Sequence, residues 1–313
     1  MSNFNAIDAL HPQFFEDWSQ FREIISNYGS YKGRYLADFP ANNWQHQVID
    51  FAAEHMNDID AAKLRRILDR YCPNGIHSML INLGWEYDSD NSWRMNTDKY
   101  KANKTFRNTV PSVFERDKSV TFEDIIFDLT CDDNASTSVS GKTGEYIELI
   151  RPLLKKGPAA YFIDPYCWPL EDGYRNFIKR VIEESLNSDC YRLYFYSRFN
   201  EYGERGPSGV ELTRRYREKI IEEFQPSMRR GKIEELVFHF VNDSKKKPEL
   251  HNRYFLTKYG AIDFGKGFGQ FNLRTTAIEV QAVQRNNHEK LRGFYIDNKA
   301  EFSELDRVRI TPL

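Results

Sequence analysis

The sequence predicts an α+β protein of two domains, a helical first domain followed by an α/β domain built on a mixed sheet. Three observations carry that expectation. Apolar residues recur at helical spacing as far as Tyr71. After Thr143, strand-like runs alternate with amphipathic helices, which is the order of βαβ units. Between them, residues 131–141 read CDDNASTSVSG, small and polar, with too little apolar surface to join a core. The expected domains are therefore residues 1–130 and 143–313, with 131–142 as linker.

Length and composition agree with two globular domains. The 313 residues are 40% hydrophobic and 15% aromatic, enough for two packed cores. Lys and Arg number 44 against 46 Asp and Glu, a formal charge of −2, so attraction to nucleic acid or anionic lipid must come from a local patch. The four cysteines, Cys72, Cys131, Cys167 and Cys190, lie far apart without a Cys-x-x-Cys pair, which argues for reduced thiols and against a metal knuckle. No metal and no cofactor are expected. The first residues, MSNFNAIDALHPQFF, lack a basic segment followed by an apolar one, and a cytoplasmic location is expected.

In the first domain, Phe14, Trp18, Phe21 and Ile25 mark a helix over residues 12–27, with Pro12 in its first turn. Residues 29–40, with two glycines and three aromatics, read as an ordered loop. Trp44, Val48, Phe51 and His55 mark a second helix; Leu64, Ile67, Leu68 and Tyr71 mark a third, capped by Asp58 or Asp60. Residues 76–83 form a further short helix. Trp85-Glu86-Tyr87 and Ser92-Trp93-Arg94-Met95 flank Asp88-Ser89-Asp90-Asn91, a hairpin signal. Helices followed by a hairpin is the order of a winged helix. The segment that would enter a DNA groove offers only His77, Ser78 and Asn82 as polar readers, a poor set for base recognition. Residues 96–120 read as a connector.

In the second domain, Thr143 is placed to cap a helix running to Leu154. The preceding Gly141-Lys142 does not make a P-loop, because Ser136 stands where a glycine is needed. A strand over 160–164, a helix from Asp172, a strand over 191–196, a helix through Leu212 and Phe224 and a strand over 236–241 follow in turn. His239, between Phe238 and Phe240, is expected on the face opposite to them. Residues 277–283, 291–296 and 308–310 are strand-like and would complete the sheet.

The stretch that organises this domain is ELHNRYFLTKYGAIDFGKGF, residues 249–268. In an extended chain, His251 and Arg253 share one face, presenting an imidazole beside a guanidinium, a pairing suited to phosphate. Tyr254 to Thr257 and Ala261 to Phe264 read as a hairpin, and Gly265, Gly267 and Gly269 clear space for close approach. Lys245, Lys246, Lys247 and Lys266 add positive charge, and Asp164 stands at a strand's carboxyl end, where ligands are met in open α/β sheets. The same residues also suit a structural histidine, a surface ion pair and a turn-capping aspartate.

The spacing His251-x-Arg253, then a hairpin and a glycine-rich strand, resembles the His-x-Lys motif of the phospholipase D superfamily. More closely, LHNRYFLTKYGAIDFGKGF resembles a segment of the phospholipase D-like C-terminal domain of MIT-domain proteins, and Ala160 to Tyr166 is similar to that family's strand ending in Asp-Pro-Tyr. Together these matches span residues 144–283. The resemblance implies a phospholipase D-like fold that binds phosphate-bearing ligands, nucleic acid or acidic phospholipid, and a biological setting in prokaryotic antiviral defence with partner proteins of a defence complex. Arg253 replaces the superfamily lysine and one motif is present where catalysis needs two histidines. A non-catalytic binding module is therefore the first expectation. A metal-independent phosphodiesterase or nuclease, with His251 attacking phosphorus and Arg253 holding its oxygens across a homodimer, is the second. A winged-helix DNA-binding regulator is the third.

Overall fold

The computed structural model describes residues 6–40, 43–71, 79–103, 105–112, 114–115, 136–199, 211–228, 232–241, 250, 252–265, 267–268, 277–297 and 304–312. The chain divides into two compact units, Met1–Ser136 and Thr137–Leu313. The fold is α+β with both parallel and antiparallel strand pairs.

The first unit is organised by a parallel sheet. Its strands are β1 (Ala6–Leu10), β2 (Arg34–Ala37), β3 (Leu80–Ile81) and β4 (Thr109–Val110), in the order β3-β2-β1-β4, with β2 to β3, β1 to β2 and β1 to β4 all parallel. Among the described residues the connections hold helices α1 (Trp18–Ile25), α2 (Trp44–His55), α3 (Asp58–Tyr71) and α4 (Trp93–Ala102). Phe14, Phe15, Phe21, Trp44, Val48, Leu64 and Leu68 pack with Leu10 and Leu36 of the sheet as one apolar core. Trp44 also donates its indole N–H to the Leu10 carbonyl at 2.6 Å.

These elements correct the winged-helix order. The hairpin expected over residues 85–95 is absent. Ser92 instead caps α4, its Oγ accepting from the Met95 N–H at 3.3 Å, and Asn96 closes the turn before it by donating to the Asp88 carbonyl at 2.8 Å. The residues taken as a loop over 29–40 contain β2, and the connector over 96–120 contains the end of α4 and β4. The helix expected from residue 12 starts at Trp18, where Asp17 accepts from the Gln20 N–H at 2.9 Å; Pro12–Phe14 form a separate 3-10 turn. Of residues 76–83, the described part contains β3, and residues 72–78 lie outside the described residues.

The physical reason is burial on both faces. A central parallel strand needs no polar alternation, so a period-two pattern is missing. Polar residues also interrupt the apolar runs of β1 and β2. Asp8 is fully buried in β1, yet accepts from Tyr28 Oη at 2.9 Å, from Arg107 Nε and Nη2 at 3.1 Å each, and from the Asn108 N–H at 3.1 Å. A carboxylate so fully hydrogen-bonded can stay inside a core.

The second unit holds an eight-stranded sheet. Its strands are β5 (Ser136–Val139), β6 (Ala159–Ile163), β7 (Arg192–Arg198), β8 (Glu235–Val241), β9 (Tyr254–Thr257), β10 (Ala261–Asp263), β11 (Ile278–Ala282) and β12 (Glu304–Ile310). The order is β12-β8-β7-β6-β9-β10-β11-β5. The middle strands β6, β7 and β8 are parallel, and β9 and β12 flank them antiparallel. The helices of this unit among the described residues are α5 (Thr143–Leu154), α6 (Asp172–Ser185), α7 (Arg214–Met228) and α8 (Arg285–Tyr295).

Aromatic residues tie helices to both faces of this sheet. Phe162 of β6 stacks on Phe195 of β7 at 4.6 Å between ring centroids and meets Phe177 of α6 at 5.7 Å; Phe224 of α7 meets Phe238 of β8 at 5.3 Å. Tyr196 points to the other face, as strand alternation requires, and meets Tyr295 of α8 at 5.3 Å. The buried His288 of α8 donates from Nε2 to the Thr257 carbonyl of β9 at 2.9 Å, fixing the helix to the hairpin.

Here the predicted βαβ alternation and hairpin are present, with Tyr254 paired to Asp263 and Leu256 to Ala261. Three readings change. Residues 291–295 belong to α8, which buries Tyr295 and leaves Phe294 exposed, and Ser136–Val139 of the expected linker is strand β5. Lys142, not Thr143, occupies the cap of α5. No helix among the described residues is long and apolar enough to cross a membrane.

Candidate anion-binding site

Strand β6 ends at Ile163, and Asp164 follows with its carboxyl group fully buried. Its N–H still donates to the Tyr196 carbonyl at 3.0 Å, so the residue remains attached to β7. The chain then turns tightly. Asp164 Oδ1 accepts from the Tyr166 N–H at 2.9 Å, and the Asp164 carbonyl accepts from the Cys167 N–H at 3.1 Å. The second carboxyl oxygen, Oδ2, accepts from the Phe268 N–H at 3.1 Å, which brings the chain after the hairpin against the end of β6.

The antiparallel register of β6 with β9 pairs Ile163 with Tyr254, so Arg253 arrives beside Asp164. Arg253 Nε lies 3.9 Å from Asp164 Oδ1, and Nη1 donates to the Gly265 carbonyl at 2.7 Å. Two glycines make this fit. Gly267 has φ of +98°, and a Cβ there would lie 2.3 Å from Asp164 Oδ2 and 3.3 Å from Arg253 Cδ. Gly265, at φ of +48°, would place a Cβ 3.0 Å from the Glu279 carbonyl.

Tyr166, at the tip of the turn, is half exposed. The Arg253 guanidinium lies 5.2 Å from its ring centroid, and the Arg198 guanidinium, from the end of β7, lies 5.7 Å away. Two cations on strands either side of β6 thus meet at one aromatic ring, a contact favoured by the ring's negative face. The Arg198 N–H donates to the Pro165 carbonyl at 3.0 Å, joining the second arginine to the same turn.

Burial raises the Asp164 pKa from 3.8 to about 6, against the opposing pull of the Tyr166 and Phe268 N–H groups and the Arg253 charge. Tyr174 of α6 and Tyr146 of α5 are pushed well up, first by burial and then by the Asp164 charge. Tyr174 also favours the charged form of Asp164, without a hydrogen bond of normal geometry between them. Chemically, the site offers two planar cations, one aromatic ring and a single buried acid. Such a set can hold an anion at the mouth while the acid sets how much positive charge remains.

Of the residues expected from sequence, Asp164, Arg253, Gly265 and Gly267 come together here. His251, Lys245, Lys246, Lys247 and Lys266 lie outside the described residues. Sequence reasoning placed Tyr166 only in the Asp-Pro-Tyr resemblance and Tyr174 only on the apolar face of its helix, and gave neither of them, nor Arg198, a part in the site. A signal for Tyr166 did exist, in an aromatic residue two positions past a strand-ending aspartate; nothing local marks Arg198 as its neighbour. Among the described residues no group of three or more His, Cys, Asp or Glu is arranged to hold a metal ion. No protein-family model matches the chain, and comparison with curated proteins yields no match.

Proposed function

We propose that the second unit is a phospholipase D-like domain that binds a phosphate-bearing ligand at the carboxyl end of β6 and holds it without turnover. The observation that carries this reading is the meeting of the Arg253 and Arg198 guanidiniums at the half-exposed Tyr166. A guanidinium presents a rigid fork of N–H donors matched to two oxygens of one phosphate, and two such forks define a strong anion site.

Topology supports the same place. The chain leaves β6 toward β7 and β8 on one side, while β9 and β10 lie on the other. In open α/β sheets ligands are met outside the carboxyl ends of the parallel strands, and Asp164 and Arg198 sit at those ends of β6 and β7. The groups described there bind and stack. Binding is the role these groups support.

Arg253→Gln keeps hydrogen-bonding capacity but removes the charge. We expect inorganic pyrophosphate to bind about tenfold more weakly to this variant, as the loss of one charge-assisted contact predicts. Its affinity should also fall less steeply with added salt, since one fewer counterion-releasing contact is made. Calorimetric titration of the full chain at several salt concentrations measures both. Equal pyrophosphate affinity in wild type, Arg253→Gln and Arg198→Gln would exclude the site.

A further inference from the structure

We propose that the ligand of this site is a single-stranded nucleic acid, with an unpaired base stacked against Tyr166 and neighbouring phosphates on Arg198 and Arg253. This deepens the anion-binding reading above and rests on it.

The argument begins with how Tyr166 is held. Its N–H is committed to Asp164 Oδ1 at 2.9 Å and its carbonyl to the Trp168 N–H at 2.8 Å, so the backbone that carries the ring is fixed in the turn. The acid that fixes it is itself anchored to Phe268 across the sheet end. A large aromatic side chain is thus presented to solvent at half its surface by a rigid support. Phosphate recognition alone does not call for that ring, because guanidiniums suffice. A base does call for it, since every base has a π-face, and stacking on a pre-ordered ring forgoes little entropy.

The neighbouring cations fit the same ligand. Both guanidiniums lie over the ring within 6 Å of its centroid, so backbone-binding charge and the exposed half of Tyr166 form one surface. Guanidinium planes themselves also stack on bases. An unpaired chain is required, because bases within a duplex already have both faces covered by their neighbours. A membrane surface fits less well. The other large apolar side chains exposed in this unit among the described residues, Ile221 and Phe294, sit on α7 and α8, so Tyr166 stands without apolar companions from its own turn.

The test is fluorescence anisotropy with the full chain and a labelled oligothymidylate, alongside the pyrophosphate titration. Tyr166→Ala should weaken oligothymidylate binding about tenfold, the loss expected for one base–aromatic stack, while pyrophosphate affinity stays unchanged. Tyr166→Phe, which keeps the ring, should bind as wild type does. Melting temperatures check folding, and Tyr166→Leu, which keeps bulk but no π-face, replaces the alanine variant if that one is unstable. Oligothymidylate binding that survives both Tyr166→Ala and Tyr166→Leu would overturn the proposal, as would tighter binding to duplex DNA or to phosphatidylserine vesicles at equal phosphate concentration. Those outcomes leave the anion site standing if Arg253→Gln still weakens pyrophosphate. If Arg253→Gln changes nothing, the anion reading and this inference fall together.

Discussion

Gly267→Ala should destabilise the second unit by about 3 kcal/mol, from two separable causes. At φ of +98° an alanine is strained where glycine is not, a cost of roughly 1–2 kcal/mol. The added methyl group would also sit 2.3 Å from Asp164 Oδ2. That oxygen cannot yield cheaply, because it accepts from the Phe268 N–H and its partner oxygen accepts from the Tyr166 N–H. Forcing a group into such a packed corner adds about 1–3 kcal/mol. For a unit of this size the sum corresponds to a fall in melting temperature of roughly 6–12 °C. Gly144→Ala provides the contrast. It lies in the first turn of α5 with nothing within 4 Å of a new Cβ, and alanine there should match wild type or stabilise it by up to about 1 kcal/mol. Thermal melts of both variants decide the matter, and a Gly267→Ala protein that melts with wild type would show that the Asp164 corner is loose.

The second large effect is a pH dependence of stability that belongs to Asp164. Its folded pKa, about 6, exceeds the ordinary 3.8 because burial penalises the charged form. Between these two values the folded state binds a proton that the unfolded state has released. Stability from this group is therefore fully present below about pH 4 and is lost as pH rises through 6. A shift of about two units is worth about 3 kcal/mol. Asp164→Asn has no proton to exchange, so urea unfolding should show the wild type losing about 3 kcal/mol relative to the variant between pH 4 and pH 7. At neutral pH the two should be close, since the amide avoids burying charge but turns an N–H₂ toward a backbone N–H that now lacks an acceptor. A constant difference across this range would mean that Asp164 titrates normally. The same charge bears on ligand binding. With Asp164 neutralised, Arg253 is no longer offset by a carboxylate at 3.9 Å, and at pH 7.5 pyrophosphate should bind more tightly to Asp164→Asn than to wild type.

How much was legible depended on how each element meets solvent. Helix α6 was readable because Tyr174, Phe177, Ile178, Val181 and Ile182 line one buried side of an otherwise polar helix. The hairpin β9–β10 was readable from its turn residues. Strands β1 and β2 were not, since they are short, lie inside a parallel sheet and carry Asp8 and Arg34 where an apolar residue would have marked them. Trp93 misled for a related reason. The Asp88 to Asn91 turn signal before it suggests a strand, yet the Ser92 cap and the Asn96 contacts to Asp88 start a helix.

By itself the sequence determined the α+β class, the βαβ alternation after Thr143, and the glycines and charged residues around the hairpin from which a phosphate site could be read. Those are properties of periodicity and of single side chains, and periodicity is local. Only the tertiary structure decided that the first unit is a parallel sheet and that Arg198 and Arg253 meet at the Tyr166 ring. Pairing order and register set which distant residues become neighbours: Arg253 meets Asp164 because β9 runs antiparallel beside β6, and Arg198 meets Tyr166 because β7 runs parallel on its other side. No spacing along the chain encodes either contact, since each follows from burying both faces of β6 at once.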